Sequence, residues 1–154
     1  MSGVILMALW TAALGATESD NYTEAHQQME KTGRPMLVMV STDWCAPCQV
    51  MKKTVIPQVR QRGLLGRVAF AVVNPDRDRD LANRLTGGGP VPQLVLFRKT
   101  PRGWTRRQLV GRQSVEEVEN FINQGLVADG DGKDSAAKPE ASQKTAGAKK
   151  GPTA

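Results

Sequence analysis

Apolar and polar positions along residues 21–127 follow two periods, and each change of period marks an element. Tyr22, Ala25 and Met29 fall at helical spacing, which predicts an amphipathic helix over residues 22–31. Asn21 stands at its N-cap with Glu24 three residues on. Thr32-Gly33-Arg34-Pro35 ends it, because Gly suits the C-terminal cap and Pro cannot continue a helix. Met36 to Thr42 is nearly continuously apolar, the pattern of a central strand covered on both faces. Val50, Met51, Val55 and Ile56 return to helical spacing within a segment from Ala46 to near Arg62. Pro57 is expected to kink or break that helix, with Gln58–Arg62 resuming it. Val68–Val73 reads as a second buried strand, and Asn74-Pro75 turns out of it. The alternating charges of Asp76-Arg77-Asp78-Arg79-Asp80 read as solvated and lead into a short helix through Leu81, Ala82 and Leu85.

Thr86-Gly87-Gly88-Gly89-Pro90 reads as a flexible loop. It lacks the Gly-Lys-Ser/Thr ending of a phosphate cradle. After Val91-Pro92-Gln93 comes a strand, Leu94–Phe97, a hairpin turn over Arg98–Gly103, and a partner strand, Trp104–Val110. Gly111 breaks that strand. Ser114 caps a last helix, with Glu117 at the capping-box position. Val115, Val118, Phe121, Ile122 and Leu126 give the helix one apolar face. The order is helix, strand, helix, strand, helix, strand, strand, helix. It predicts an α/β fold with a central mixed β-sheet flanked by helices.

The two ends have a different character. Residues 4–14 carry no charge, and Ala13-Leu14-Gly15-Ala16 is followed by polar Thr17-Glu18-Ser19-Asp20. This resembles the apolar core and cleavage region of a secretory signal peptide, although no Lys or Arg precedes the run. Residues 1–20 are therefore expected to be a signal peptide or N-terminal hydrophobic segment. The chain is expected to be exported, periplasmic or otherwise extracytoplasmic. The alternative is an N-terminal membrane anchor, and a transient membrane association would follow from the same run. Residues 21–127 form the expected domain. Residues 128–154 hold Ala, Lys, Gly, Asp, Ser, Pro and Thr with no aromatic residue. They bury too little surface to offset chain entropy and are expected to be a disordered tail.

Charge narrows the function classes. Residues 21–127 carry 16 Lys and Arg against 9 Asp and Glu; such a domain prefers acidic partners or anionic surfaces, but a solvated basic surface is the default reading. No nucleic-acid recognition motif accompanies the charge, so nucleic acid is not an expected partner. A monomer is expected.

The chemistry lies in Trp44-Cys45-Ala46-Pro47-Cys48, which holds both cysteines of the chain. A strand that delivers Cys-x-x-Cys to a helix start is a dithiol–disulfide site. Thiolate is the nucleophile, and the unpaired N–H groups and dipole at a helix start can lower a thiol pKa from about 8.5 to about 3.5–7.5. Ala46 and Pro47 set the turn, since the fixed φ of Pro suits a first helical turn. A structural zinc needs two more ligands, and the chain has one His and no further Cys. Haem attachment would place His where Gln49 stands. Neither a metal nor a cofactor is expected, and His26 is placed on the solvent face. A merely structural disulfide stays open as an alternative.

Together, the Trp-Cys-Ala-Pro-Cys motif after the first long strand, Val91-Pro92 before the hairpin, and Val110-Gly111 before the last helix resemble the thioredoxin fold. The resemblance covers about residues 21–126. Gly33-Arg34-Pro35-Met36-Leu37-Val38 resembles a branch that includes exported thioredoxin-like proteins and the periplasmic C-terminal domain of the membrane thiol:disulfide reductase. The resemblance implies that Pro92 is a cis-proline lying against the sulfurs, with the Val91 backbone free to pair with an extended substrate. Trp44 would pack beside the site. Cytoplasmic thioredoxins carry a buried acid where this chain has Met39, and its lysine partner would fall near Phe70. That departure touches the speed of exchange rather than its type.

The sequence thus reads as a thiol–disulfide oxidoreductase acting through Cys45 and Cys48, with reduction the favoured direction. Its partners would be protein disulfides and a thiol electron donor. The alternative is a thioredoxin-like binding or redox-sensing module with little turnover.

Overall fold

The computed structural model describes residues 20–127. The expected tail, and all but Asp20 of the expected export segment, lie outside the described residues. No helix among the described residues is long and apolar enough to cross a membrane.

Helix α1 spans Tyr22–Thr32. The Asn21 side chain accepts from the Thr23 N–H at 2.8 Å, and Gly33 closes the helix at φ 70°. Strand β1 (Met36–Val40) is buried at every position. It pairs in parallel with β2 (Ala69–Val73) and antiparallel with β3 (Gln93–Thr100), and β3 pairs antiparallel with β4 (Gly103–Val110). The sheet order is β2-β1-β3-β4. Leu37 and Met39 face one side of the sheet, against the helices of residues 46–61 and α5 (Val115–Val127). Met36, Val38 and Val40 face the other, against α1 and α4 (Arg79–Thr86). Two-sided cover explains the unbroken apolar run of β1.

Most boundaries shift by a residue from the sequence reading, and three places show more. β1 stops at Val40, and the Ser41 N–H still reaches the Val73 carbonyl at 3.0 Å. The hairpin is tighter than Arg98–Gly103, because Arg98, Lys99 and Thr100 stay paired with Thr105, Trp104 and Gly103. The polar run Arg98-Lys99-Thr100, past the end of the pairing of β3 with β1, hid that extension. The interruption expected at Pro57 lies just upstream of it. α2 (Ala46–Val50) widens into a π turn over Met51–Val55, and α3 (Ile56–Gln61) follows with Pro57 in its first turn. The Ile56 N–H reaches back to the Met51 carbonyl. A wider turn gives the proline ring room, and a first-turn proline loses no needed donor.

Helix α5 begins with reciprocal caps. The Glu117 N–H donates to Ser114 Oγ at 3.1 Å, and the Ser114 N–H donates to Glu117 Oε2 at 2.6 Å. Gly125 lets the helix approach the sheet closely: a Cβ there would fall 1.9 Å from Leu96 Cδ2.

Candidate redox site

The chain leaves β1 at the edge of the core, turns through Asp43 and Trp44, and enters α2 at Cys45. Cys45 is the N-cap of that helix. Cys45 and Cys48 are joined as a disulfide with Cα atoms 5.2 Å apart. The two sulfurs differ in surroundings. Cys48 is fully enclosed (0% exposed), whereas Cys45 keeps 7% exposure. The Cys48 N–H donates to Cys45 Sγ at 3.3 Å, and the Val91 carbonyl oxygen lies 3.6 Å from the same sulfur. Backbone N–H groups aimed at one sulfur favour its charged form.

Ala46 and Pro47 are exposed at the helix start, and Pro47 occupies its first turn. Val91 is half-buried and Pro92 buried, with the peptide between them cis. The Gly111 N–H donates to the Pro92 carbonyl at 2.8 Å, which ties the end of β4 to this corner. The structure thus brings Cys45, Cys48, Ala46, Pro47, Val91 and Pro92 together. Trp44 stands at 75% exposure, tethered by its indole N–H to Asp76 Oδ2 at 3.0 Å. His26 lies away on α1, 3.9 Å from Glu30.

Several contributors to the site were not readable from the sequence. Asp43 is the largest. Its carboxylate accepts from Lys52 Nζ at 2.9 Å and Asn74 Nδ2 at 3.1 Å, with Arg77 at 3.7 Å. Its backbone carbonyl accepts from Gln49 Nε2 at 2.8 Å. One residue therefore ties the loop before Cys45 to α2, to the π turn and to the loop after β2. The hydrogen bond from Lys52, then its charge, holds the Asp43 carboxyl below its ordinary range. Asp76 and Asp78, read as solvated, have tasks: Asp76 takes the Trp44 N–H, and Asp78 Oδ1 caps α4 by accepting from the Leu81 N–H at 2.9 Å. Gln93 is also buried here (1% exposed), and its amide reaches the loop before Val91. The available signal was a polar residue at the start of an apolar strand, directly after Val91-Pro92.

Beneath the site, Met39 and Phe70 are both buried, at 0% and 6% exposure. A cavity of about 270 Å³ opens beside them, lined also by Asp20, Lys52, Ile56 and Val72.

A buried sulfur three residues after a helix-capping sulfur suits a two-step disulfide exchange. A sequence profile described as thioredoxin-like matches residues 16–99, just over half of the chain. Among solved structures, a thioredoxin from Thermus thermophilus is 25% identical with a TM-score of 0.60, covering 70% of this chain and 85% of that one. Chloroplastic thioredoxin z is 20% identical with a TM-score of 0.54, covering 69% of this chain and 90% of that one. A Trichomonas vaginalis thioredoxin is 21% identical with a TM-score of 0.53, covering 68% and 90%. These last two show the fold alone. No curated protein matches the chain. Fold and cysteine pair support thiol–disulfide oxidoreductase chemistry. The match of profile, topology and cysteine placement has one reading: the chain belongs to the thioredoxin-like family.

Proposed function

We propose that the protein is an exported reductant or exchange enzyme for disulfides in other proteins. Cys45 thiolate attacks one sulfur of the substrate disulfide, and the other substrate sulfur leaves as a thiolate that takes up a proton. Cys48 then loses its proton and attacks Cys45 Sγ. The mixed disulfide breaks, the second substrate sulfur leaves, and the Cys45–Cys48 disulfide forms. Two electrons have passed to the substrate, and a thiol electron donor restores the dithiol. An extended substrate segment pairs with the Val91 backbone as an added strand, and Trp44 offers an apolar face beside the sulfur.

The observation that carries this reading is the asymmetry of the pair. Cys45 Sγ receives the Cys48 N–H at 3.3 Å and keeps 7% exposure, whereas Cys48 has none. Export rests on the apolar run of residues 4–14 and the small residues after it. An insulin-type disulfide reduction assay tests the activity, with Cys45→Ser as control. Wild type should reduce the substrate and the variant should not; equal rates would reject the enzyme reading. A second reading, a redox-sensing or partner-binding module with little turnover, draws on Met39 and Phe70, two buried apolar residues at the positions where the resemblance implies an acid and a lysine. A slow second step with normal mixed-disulfide formation would favour it.

A further inference from the structure

We infer that Gln93 is a positioning residue for polypeptide substrates: its buried amide fixes the Gly87–Pro90 loop, and through it the Val91 backbone beside Cys45. The inference rests on the proposal that this backbone receives the substrate, and it names the group that governs the fit.

Local bonds hold only the start of the loop: the Gly87 N–H donates to the Asn83 carbonyl at 2.7 Å and the Gly88 N–H to Thr86 Oγ1 at 3.1 Å. Gly87, Gly88 and Gly89 sit at φ 74°, 86° and 101°. Glycines give up the most conformational freedom on ordering, so such a loop keeps one shape only if other groups tie it. Gln93 supplies further ties, on the loop's carbonyls. Its Nε2 donates to the Gly88 carbonyl at 3.1 Å and to the Pro90 carbonyl at 2.7 Å. Its Oε1 accepts from Gln108 Nε2. Both N–H donors and the oxygen of the amide are therefore engaged, at 1% exposure.

The chain of contacts continues across the sheet. Gln108 Nε2 also approaches the Thr86 carbonyl at 3.4 Å, and Gln108 Oε1 accepts from Arg106 Nη2 at 2.6 Å. Arg106 Nε and Nη2 donate to the Leu85 carbonyl at 3.1 and 2.9 Å. Side chains of β3 and β4 thus grip the end of α4 and the loop that follows. The loop delivers Val91, whose carbonyl lies 3.6 Å from Cys45 Sγ. A polypeptide must fit that backbone, whereas a small aromatic disulfide needs mainly the sulfur. Gln93 therefore sets selectivity between the two.

The test uses the full chain as wild type, Gln93→Leu and Gln93→Glu. Leu removes the amide, and Glu keeps the shape but cannot donate to two carbonyls. The ratio of kcat/KM for insulin over kcat/KM for 5,5′-dithiobis-(2-nitrobenzoate) should fall roughly tenfold in both, mainly through KM for insulin. Amide hydrogen exchange at Gly88, Gly89 and Val91 should accelerate at least tenfold. An unchanged ratio in folded variants overturns the inference. If a Gln93 variant does not fold, Gln108→Leu carries the test, with a smaller fall in the ratio and faster exchange expected. Unchanged exchange overturns the inference even if the wild type proves inactive, an outcome that would separately reject the proposed activity.

Discussion

Met39→Asp places a carboxyl where the relatives recognised in the sequence carry a buried acid, and its consequences can be worked from the structure. Met39 has no exposure and lies on β1 between Val72 and Leu94. Losing its packed side chain should cost about 2–3 kcal/mol. The introduced carboxyl adds a pH-dependent part, because desolvation raises its folded pKa above the ordinary carboxylate value. The cavity of about 270 Å³ beside Met39, with Lys52 in its lining, limits that rise. A rise of about two units corresponds to about 3 kcal/mol. Since the folded pKa is the raised one, the penalty is absent below the unfolded pKa, near 4. It grows as pH rises to the folded pKa and is then constant. Urea unfolding of the oxidised proteins should therefore show a loss of about 2–3 kcal/mol near pH 4 and about 5–6 kcal/mol at pH 7. A loss independent of pH would refute the desolvation argument. The same variant tests the chemistry: if proton transfer from Cys48 limits resolution, the mixed disulfide should be released faster in single turnover. An unchanged rate removes that explanation.

Two further outcomes follow from particular contacts. Gly125→Ala forces a Cβ to within 1.9 Å of Leu96 Cδ2. Overpacking of about 1–3 kcal/mol outweighs a gain in helix propensity of about 1 kcal/mol. Thermal unfolding should show a net loss, and adding Leu96→Val should cost less than the sum of the two changes; strict additivity would reject the contact. Lys52→Met removes the main cause that holds Asp43 below the ordinary carboxylate range. The pair contributes stability above the unfolded carboxylate pKa and loses it as pH falls through the lowered folded value. In the variant that contribution should shrink, so the two proteins should converge in stability as pH falls, with the Asp43 carboxyl resonance titrating at higher pH than in the wild type; an unmoved titration would mean Lys52 is not the cause.

The parts legible in the sequence were those set by local pattern. β1 is apolar at all five positions because both faces are covered, and the Ser114–Glu117 caps depend on residues three apart. The cysteine pair declares itself by spacing and by the strand before it. The parts not legible depend on distant partners. Asp43 meets Lys52, Asn74 and Arg77 only once the β2–α4 loop folds over the helix start. Trp44 finds Asp76 the same way. Gln93 looked like a strand edge, and its meaning came from the loop it holds. The interruption at Pro57 was legible, but not that it takes the form of a π turn upstream of the proline. The polar residues Arg98 and Lys99 concealed two more strand pairs, and Arg98 is half-buried, donating to the Gly125 carbonyl at 3.1 Å.

The central claim is that backbone geometry makes the Cys45 sulfur acidic and leaves Cys48 to finish the exchange. Alkylation of the reduced protein with iodoacetamide across pH, read by peptide mass spectrometry, tests it most directly. Cys45 should react with a midpoint below the ordinary thiol value of about 8.5 and far faster than Cys48. A Cys45 midpoint at the ordinary value, with a rate no greater than that of Cys48, would contradict the account.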